Sequence, residues 1–223
     1  MAFKRKFQKK SWGKKRNSRF RKRKTRKNKI PVGISNSRTV KLIYSDSDNT
    51  GVSAGGATYY QYRSSVYDPL YATGGHQPMY FDQYAAMYGR YRVLAMGFSL
   101  EATTDQGTNG PLFITCTWNT DGSLDNSLSE VRERKGTKCC TVSHGYKGRM
   151  RGYCSVARAF GVRRQAVMYD DDYSALVTTN PTKQLFLNLQ VWNQTTSNSI
   201  SPHMNIRIFY VVKFYDPEHV APS

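Results

Sequence analysis

Sixteen of the first 29 residues are lysine or arginine, and none is acidic. They are Lys4, Arg5, Lys6, Lys9, Lys10, Lys14, Lys15, Arg16, Arg19, Arg21, Lys22, Arg23, Lys24, Arg26, Lys27 and Lys29. Like charges this close repel one another, so in isolation the segment is expected to stay extended, solvated and without a core. Its chemistry is non-covalent. Each base can displace a counterion from a polyanion, which makes binding strong, salt-dependent and indifferent to sequence. Phe3, Phe7, Trp12 and Phe20 are spaced through the cations. Trp12 and Phe20 sit among the base clusters and offer flat faces on which unpaired bases can stack. Basic clusters of this length also suit a nuclear import receptor.

A second basic zone lies at Arg149, Arg151, Arg158, Arg163 and Arg164, with Lys147 beside it. Arg149, Arg151, Arg163 and Arg164 are candidates for a nucleic-acid-facing surface, and ordinary surface or intersubunit charge is the alternative. Asp170, Asp171 and Asp172 are the one acidic cluster of the body. Three adjacent carboxylates could give oxygen ligands to a calcium ion. A solvated loop, or one facing a basic loop of a neighbouring subunit, is the plainer expectation, so no metal is assigned. The four histidines (His76, His144, His203, His219) stand in no HExxH spacing, and no GxSxG elbow, Walker loop or GxGxxG occurs. Ser143 and His144 are neighbours on an extended segment and point to opposite faces, so they are not a nucleophile and its base. The four cysteines form no CxxC pair and are expected to be reduced, buried thiols. The sequon at Asn193 lacks a secretory leader and is read as unused. Neither a catalytic constellation nor a cofactor is expected.

The chain that positions these groups has 223 residues, 34 bases against 15 acids and a net charge of +19. From Ile30 onward 18 bases meet all 15 acids, so a nearly neutral body carries a strongly cationic arm. The longest strongly apolar run, Ile208 to Val212, is far below the roughly 20 residues of a spanning helix, and no membrane insertion is expected. No apolar stretch follows the basic N-terminus, which therefore does not read as a secretory signal. The expected organisation is an arm over 1–37 and one folded domain over 38–223.

Within that domain the apolar period is two. Val40, Leu42 and Tyr44 alternate with polar neighbours, as do Tyr60, Tyr62 and Val66, then Leu94, Met96, Phe98, Leu100 and Ala102. Leu112, Ile114, Cys116 and Trp118 follow, and Leu185 to Val191 and Ile206 to Phe214 are the clearest strands. Lys138 to Ser143 is a shorter strand, and an eighth is expected somewhere between Tyr146 and Leu176. Short helices are expected from Asp82, with Tyr84, Met87, Tyr88 and Tyr91 on one face, and from Ser123, with Leu124, Leu128 and Val131 on one face and a Glu130–Arg134 pair. Ser155 to Gly161 is expected to form one further turn. Seven or eight strands without β-α alternation predict an antiparallel all-β sandwich. Long, uneven connections favour a jelly roll over an immunoglobulin-like sandwich.

The segment from Tyr67 to Val93 carries Tyr67, Tyr71, Tyr80, Phe81, Tyr84, Tyr88 and Tyr91. Tyrosine pairs a rigid apolar body with a polar tip, which suits a contact between subunits, or a loop packed on the end of its own sandwich. The run Asp68-Pro69, Gly74-Gly75-His76-Gln77-Pro78, Phe81-Asp82-Gln83, Tyr88 and Tyr91-Arg92-Val93 resembles a motif of capsid proteins of small circular, replication-protein-encoding single-stranded DNA viruses. The arm, the chain length and the closing strand Asn205 to Tyr215 resemble that circovirus-like group too. The resemblance implies a single jelly roll and about 60 copies in a small icosahedral (T=1) shell with arms directed inward. It also implies a single-stranded DNA genome as partner, with the virion, and the host nucleus during assembly, as locations. A cellular nucleic-acid-binding protein with a basic extension is the alternative, disfavoured because the body offers no broad excess of base.

Overall fold

The structure is a computed structural model that describes residues 35–72, 74–104, 110–195 and 197–217. Every base and aromatic residue named above between positions 1 and 29 lies outside the described residues.

The period-two segments form strands. Along the chain these are β1 (Ser37–Asp48), β2 (Ala57–Arg63), β3 (Tyr88–Thr103), β4 (Leu112–Asn119), β5 (Lys138–Val142), β6 (Gly148–Ser155), β7 (Ser174–Leu176), β8 (Phe186–Asn193) and β9 (His203–Pro217). One sheet runs β1-β9-β3-β6, with the short β7 paired to part of β3, and the other runs β2-β8-β4-β5. Every pairing is antiparallel. The chain passes back and forth between the sheets, so spatial neighbours are distant in sequence. This is the double-sheet jelly roll that the strand pattern predicts. The two inner faces make the core. Leu42, Tyr44, Met96, Phe98, Leu100, Ile208, Tyr210 and Val212 of one sheet meet Leu112, Ile114, Cys116, Leu187, Leu189 and Val191 of the other, and all are at most 3% exposed. Each buried side chain of this size contributes roughly 1.5–3 kcal/mol of transfer free energy.

The eighth strand is β6, and β7 is a ninth that the sequence reading lacks. The tyrosine-rich helix is shorter than its periodicity predicts. α1 covers Phe81–Ala85 and its N-cap is Tyr80, in the left-handed region at φ 72°, not Asp82, which lies in the first turn. Tyr88 and Tyr91 belong to β3, because that stretch pairs with β9. A bulge between Val93 and Ala95 shifts the register, so Tyr91 and Val93 before it and Met96 and Phe98 after it all reach the core. Leu94, expected on the core face, is half-buried in the bulge.

α2 (Leu128–Glu133) starts after Ser127 and not at Ser123, whose N–H and hydroxyl donate to Asp121 Oδ1 at 3.1 and 2.9 Å in a preceding turn. Leu128 and Val131 are buried as expected, but Arg134 pairs with Asp125 at 2.5 Å instead of with Glu130. α3 (Val156–Ala159) is the turn expected after Ser155, whose hydroxyl accepts from Arg158 N–H at 3.3 Å. α4 (Arg164–Tyr169) and a single 3-10 turn (Asp171–Tyr173) complete the body.

Candidate nucleic-acid interface

The run from Asp68 to Val93, which spans the connection from β2 to β3 and the start of β3, divides into an inward and an outward half. Asp68 forms an ion pair with Arg63, whose Nε donates to the Asp68 carbonyl at 2.7 Å and whose N–H donates to Pro69 O at 2.8 Å. The His76 ring stacks on Tyr44 with centroids 4.4 Å apart. Gln77 Nε2 donates to Tyr67 O at 3.0 Å, and Phe81 N–H donates to Pro78 O at 3.1 Å. Phe81 packs against Tyr91 and Phe214, and the buried Tyr88 donates its hydroxyl proton to Ser35 O at 2.9 Å. The Tyr91 hydroxyl donates to Thr179 O at 2.9 Å and lies 2.8 Å from Ser65 Oγ. Burial, more than any neighbouring charge, pushes its ionisation above the ordinary tyrosine range. Phe81, Tyr88 and Tyr91 are thereby part of the core of their own sandwich. Gly74, Gly75, His76, Asp82 and Gln83 are exposed, and Tyr71, Met79 and Tyr80 turn outward at 57, 70 and 62% exposure.

The arginines of the second basic zone do not converge on one place. Arg149, on β6, lies 3.4 Å from Glu101 of β3. Arg163 and Arg164 stand exposed at the start of α4. Arg151 and Arg158 line a groove of about 1300 Å³, and Arg149, Arg163 and Arg164 do not. Five bases that sequence proximity does not reveal join them: Lys41 from β1, Arg207 from β9, Arg134 and Lys135 from the connection between β4 and β5, and Lys138 from the start of β5. Asp121 is the acid among the lining residues. Its carboxyl is held below the usual aspartate range by the Ser123 N–H and hydroxyl, so it is ionised but engaged. The remaining imbalance makes the groove an attractive place for anions. Lys41 and Arg207 carried one available signal: each occupies a polar position in an alternating strand, and therefore faces away from the core.

The acidic triplet is turned toward bases of its own chain. Asp172 N–H donates to Asp170 Oδ1 at 3.0 Å, and Lys183 Nζ lies 2.6 Å from Asp172 and 3.5 Å from Asp170. Asp171 stands 3.7 Å from both Arg90 and Arg92. The Asp172 N–H, helped by Lys183, holds the Asp170 carboxyl below its ordinary value, and the bond to Asp172 raises the Lys183 ammonium above its own. Among the described residues no group of three or more His, Cys, Asp or Glu is placed to hold a metal ion. Cys116 and Cys154 are buried; burial pushes the Cys140 thiol up to about 11 and that of Cys116 well above its usual value. Such groups stay protonated at neutral pH and are poor nucleophiles.

No protein-family model and no curated protein matches the chain. Among solved structures, the chain is similar to desmodium yellow mottle tymovirus, at 10% identity over 89% of this chain and 99% of that one, with a TM-score of 0.43. It is similar to tobacco necrosis virus, at 11% identity over 82% of this chain and 98% of that one, with a TM-score of 0.44. A third similar structure is the decameric BFDV capsid protein, at 12% identity over 80% of this chain and 98% of that one, with a TM-score of 0.45.

Proposed function

We propose that this chain is the coat protein of a small virus with a circular single-stranded DNA genome. Its jelly-roll bodies associate into an icosahedral shell, and its N-terminal arm holds the genome inside. The observation that carries this reading is the division of charge, with 16 bases and no acid in the first 29 residues and 18 bases against 15 acids in the rest. A nearly neutral body can pack against copies of itself without strong self-repulsion, while a cationic arm neutralises phosphate. The motif between Asp68 and Val93 supports the viral class, and the outward-facing Tyr71, Met79 and Tyr80 supply apolar surface for contacts between copies.

In a shell of about 60 copies the arms bring on the order of 1000 positive charges. The coat gene alone needs about 670 nucleotides, so a genome that also encodes a replication protein outnumbers the arm charges. The remainder falls to inward-facing bases of the body or to small cations. The same arm clusters serve as a nuclear import signal, which places assembly in the host nucleus. Deleting residues 1–29 is the direct test. The shortened chain is expected to lose packaged, nuclease-protected DNA, and normal packaging by it would overturn the reading.

A further inference from the structure

Strand register places Ile43, Phe209, Gly97 and Tyr153 in one row across β1, β9, β3 and β6, on the outer face of that sheet. Gly97 is the floor of the row. A Cβ there would stand 2.1 Å from Phe209 Cζ, so the ring can lie flat on the sheet only because residue 97 has no side chain. The Tyr153 ring lies nearly parallel to Phe209, with centroids 6.1 Å apart and 16° between planes, and is 57% exposed. Lys41 Nζ stands over Phe209 at 4.3 Å. The adjacent row carries Arg207 and Arg151, both exposed, and Arg158 lines the same groove. An aromatic step between two cationic borders is what a single strand requires, because its backbone needs positive charge and its unpaired bases need flat faces.

We propose that this groove is a second nucleic-acid site, on the folded body and separate from the arm. Arg151, Arg158 and Arg207 take phosphates of one strand, and an unpaired base stacks on the open face of Tyr153. The site deepens the coat-protein reading and rests on it for the identity of the strand, single-stranded DNA. Its bases are part of those the genome requires beyond the arm. Duplex is disfavoured, since paired bases present no free face to Tyr153.

The test uses the full chain and a bromodeoxyuridine-substituted oligothymidylate, irradiated and mapped by peptide mass spectrometry. Label is expected on the arm and also on the β6 peptide that contains Tyr153. Arg151→Glu combined with Arg207→Glu should lower the β6 label at least about tenfold while arm label stays. Tyr153→Phe should keep the β6 label and Tyr153→Ala should lose it, with circular dichroism showing each variant folded. A blunt-ended duplex without unpaired bases should label the arm alone. Label confined to the arm, or β6 label unchanged by the double substitution, overturns the proposal. So does greater protection of β6 from hydrogen exchange in particles assembled without nucleic acid than in the unassembled chain, which would make the groove a contact between copies. The mapping needs no particle, so a chain that never assembles but labels β6 would sink the coat-protein reading and leave the groove standing.

Discussion

On the outer face of the β2-β8-β4-β5 sheet, Asn188, Gln190 and Trp192 point away from the core, yet they are only 0, 3 and 8% exposed. On the outer face of the β1-β9-β3-β6 sheet, Lys41, Arg207 and Arg151 occupy comparable outward positions and stand in solvent. The difference is a strap. The connection between β4 and β5 crosses the first of these faces, and side-chain amides satisfy its carbonyls. Gln61 Nε2 donates to Gly122 O at 2.8 Å, Asn188 Nδ2 to Ser123 O at 2.7 Å, and Gln190 Nε2 to Asp125 O at 2.8 Å. Leu128 and Val131 of α2 then pack on Trp192 and Phe113, and Trp192 Nε1 donates to Thr115 Oγ1 at 3.0 Å. Polar outward residues thus meet two fates. Neutral amides can be buried when each finds a partner, whereas charged ends stay wet unless a counter-charge follows them inside. One sheet is covered by its own chain; the other keeps a cationic face open for something else.

Substitutions on the two faces should separate them. Trp192→Ala removes the anchor of the strap and should cost about 3–5 kcal/mol, read by chemical denaturation. Asn188→Ala removes one of the two side-chain amides that donate to the Ser123 carbonyl, leaving Asn119, and one Gln61 bond as well, at about 1–3 kcal/mol, and should speed hydrogen exchange at residues 122–125. On the open face, Gly97→Ala forces the Phe209 ring off the sheet and should cost about 1–3 kcal/mol. Lys41→Ala gives up the cation over the Phe209 ring and should cost about 0.5–1 kcal/mol, and Arg207→Ala should stay within about 0.5 kcal/mol. A cost at Arg207 equal to that at Asn188 would erase the comparison.

The smallest effect is expected where charges are exposed but paired. Asp170 is depressed, so its contribution is present above the ordinary aspartate value of 3.8 and is lost as pH falls through its lower folded value. Lys183 is raised, so its contribution is present below the ordinary value of 10.5 and is lost as pH rises through its higher folded value. Lys183→Met should therefore lower the melting temperature slightly and by a constant amount between these limits, with the difference from wild type shrinking at both ends.

The strands β1, β4, β8 and β9 are legible in the sequence because apolar residues recur at every second, inward-facing position, whatever covers the other face. β6 is not, because glycine occupies an inward position. A Cβ on Gly152 would stand 2.4 Å from Phe98 Cε1, so the core is filled there by the ring from β3, and the apolar period vanishes from β6 itself. β3 misleads for a different reason. Tyr84, Met87, Tyr88 and Tyr91 fit helical spacing, and the bulge at Leu94 resets the strand period, so one continuous strand reads as a helix followed by a strand. The groove was half legible. Arg151 and Arg158 are close in sequence, but Lys41 and Arg207 reach it through strand order, which no local pattern encodes. The acidic triplet likewise gave no local hint that Arg90, Arg92 and Lys183 would face it.

A coat protein of this kind must close, as an arm-bearing jelly roll, into a shell around single-stranded DNA. Sedimentation velocity of the purified full chain, mixed with circular single-stranded DNA, measures this most directly. About 60 chains of 25.5 kDa predict a protein shell of about 1.5 MDa that co-sediments with nuclease-protected DNA. Monomers or small oligomers coating DNA that remains open to nuclease would contradict it.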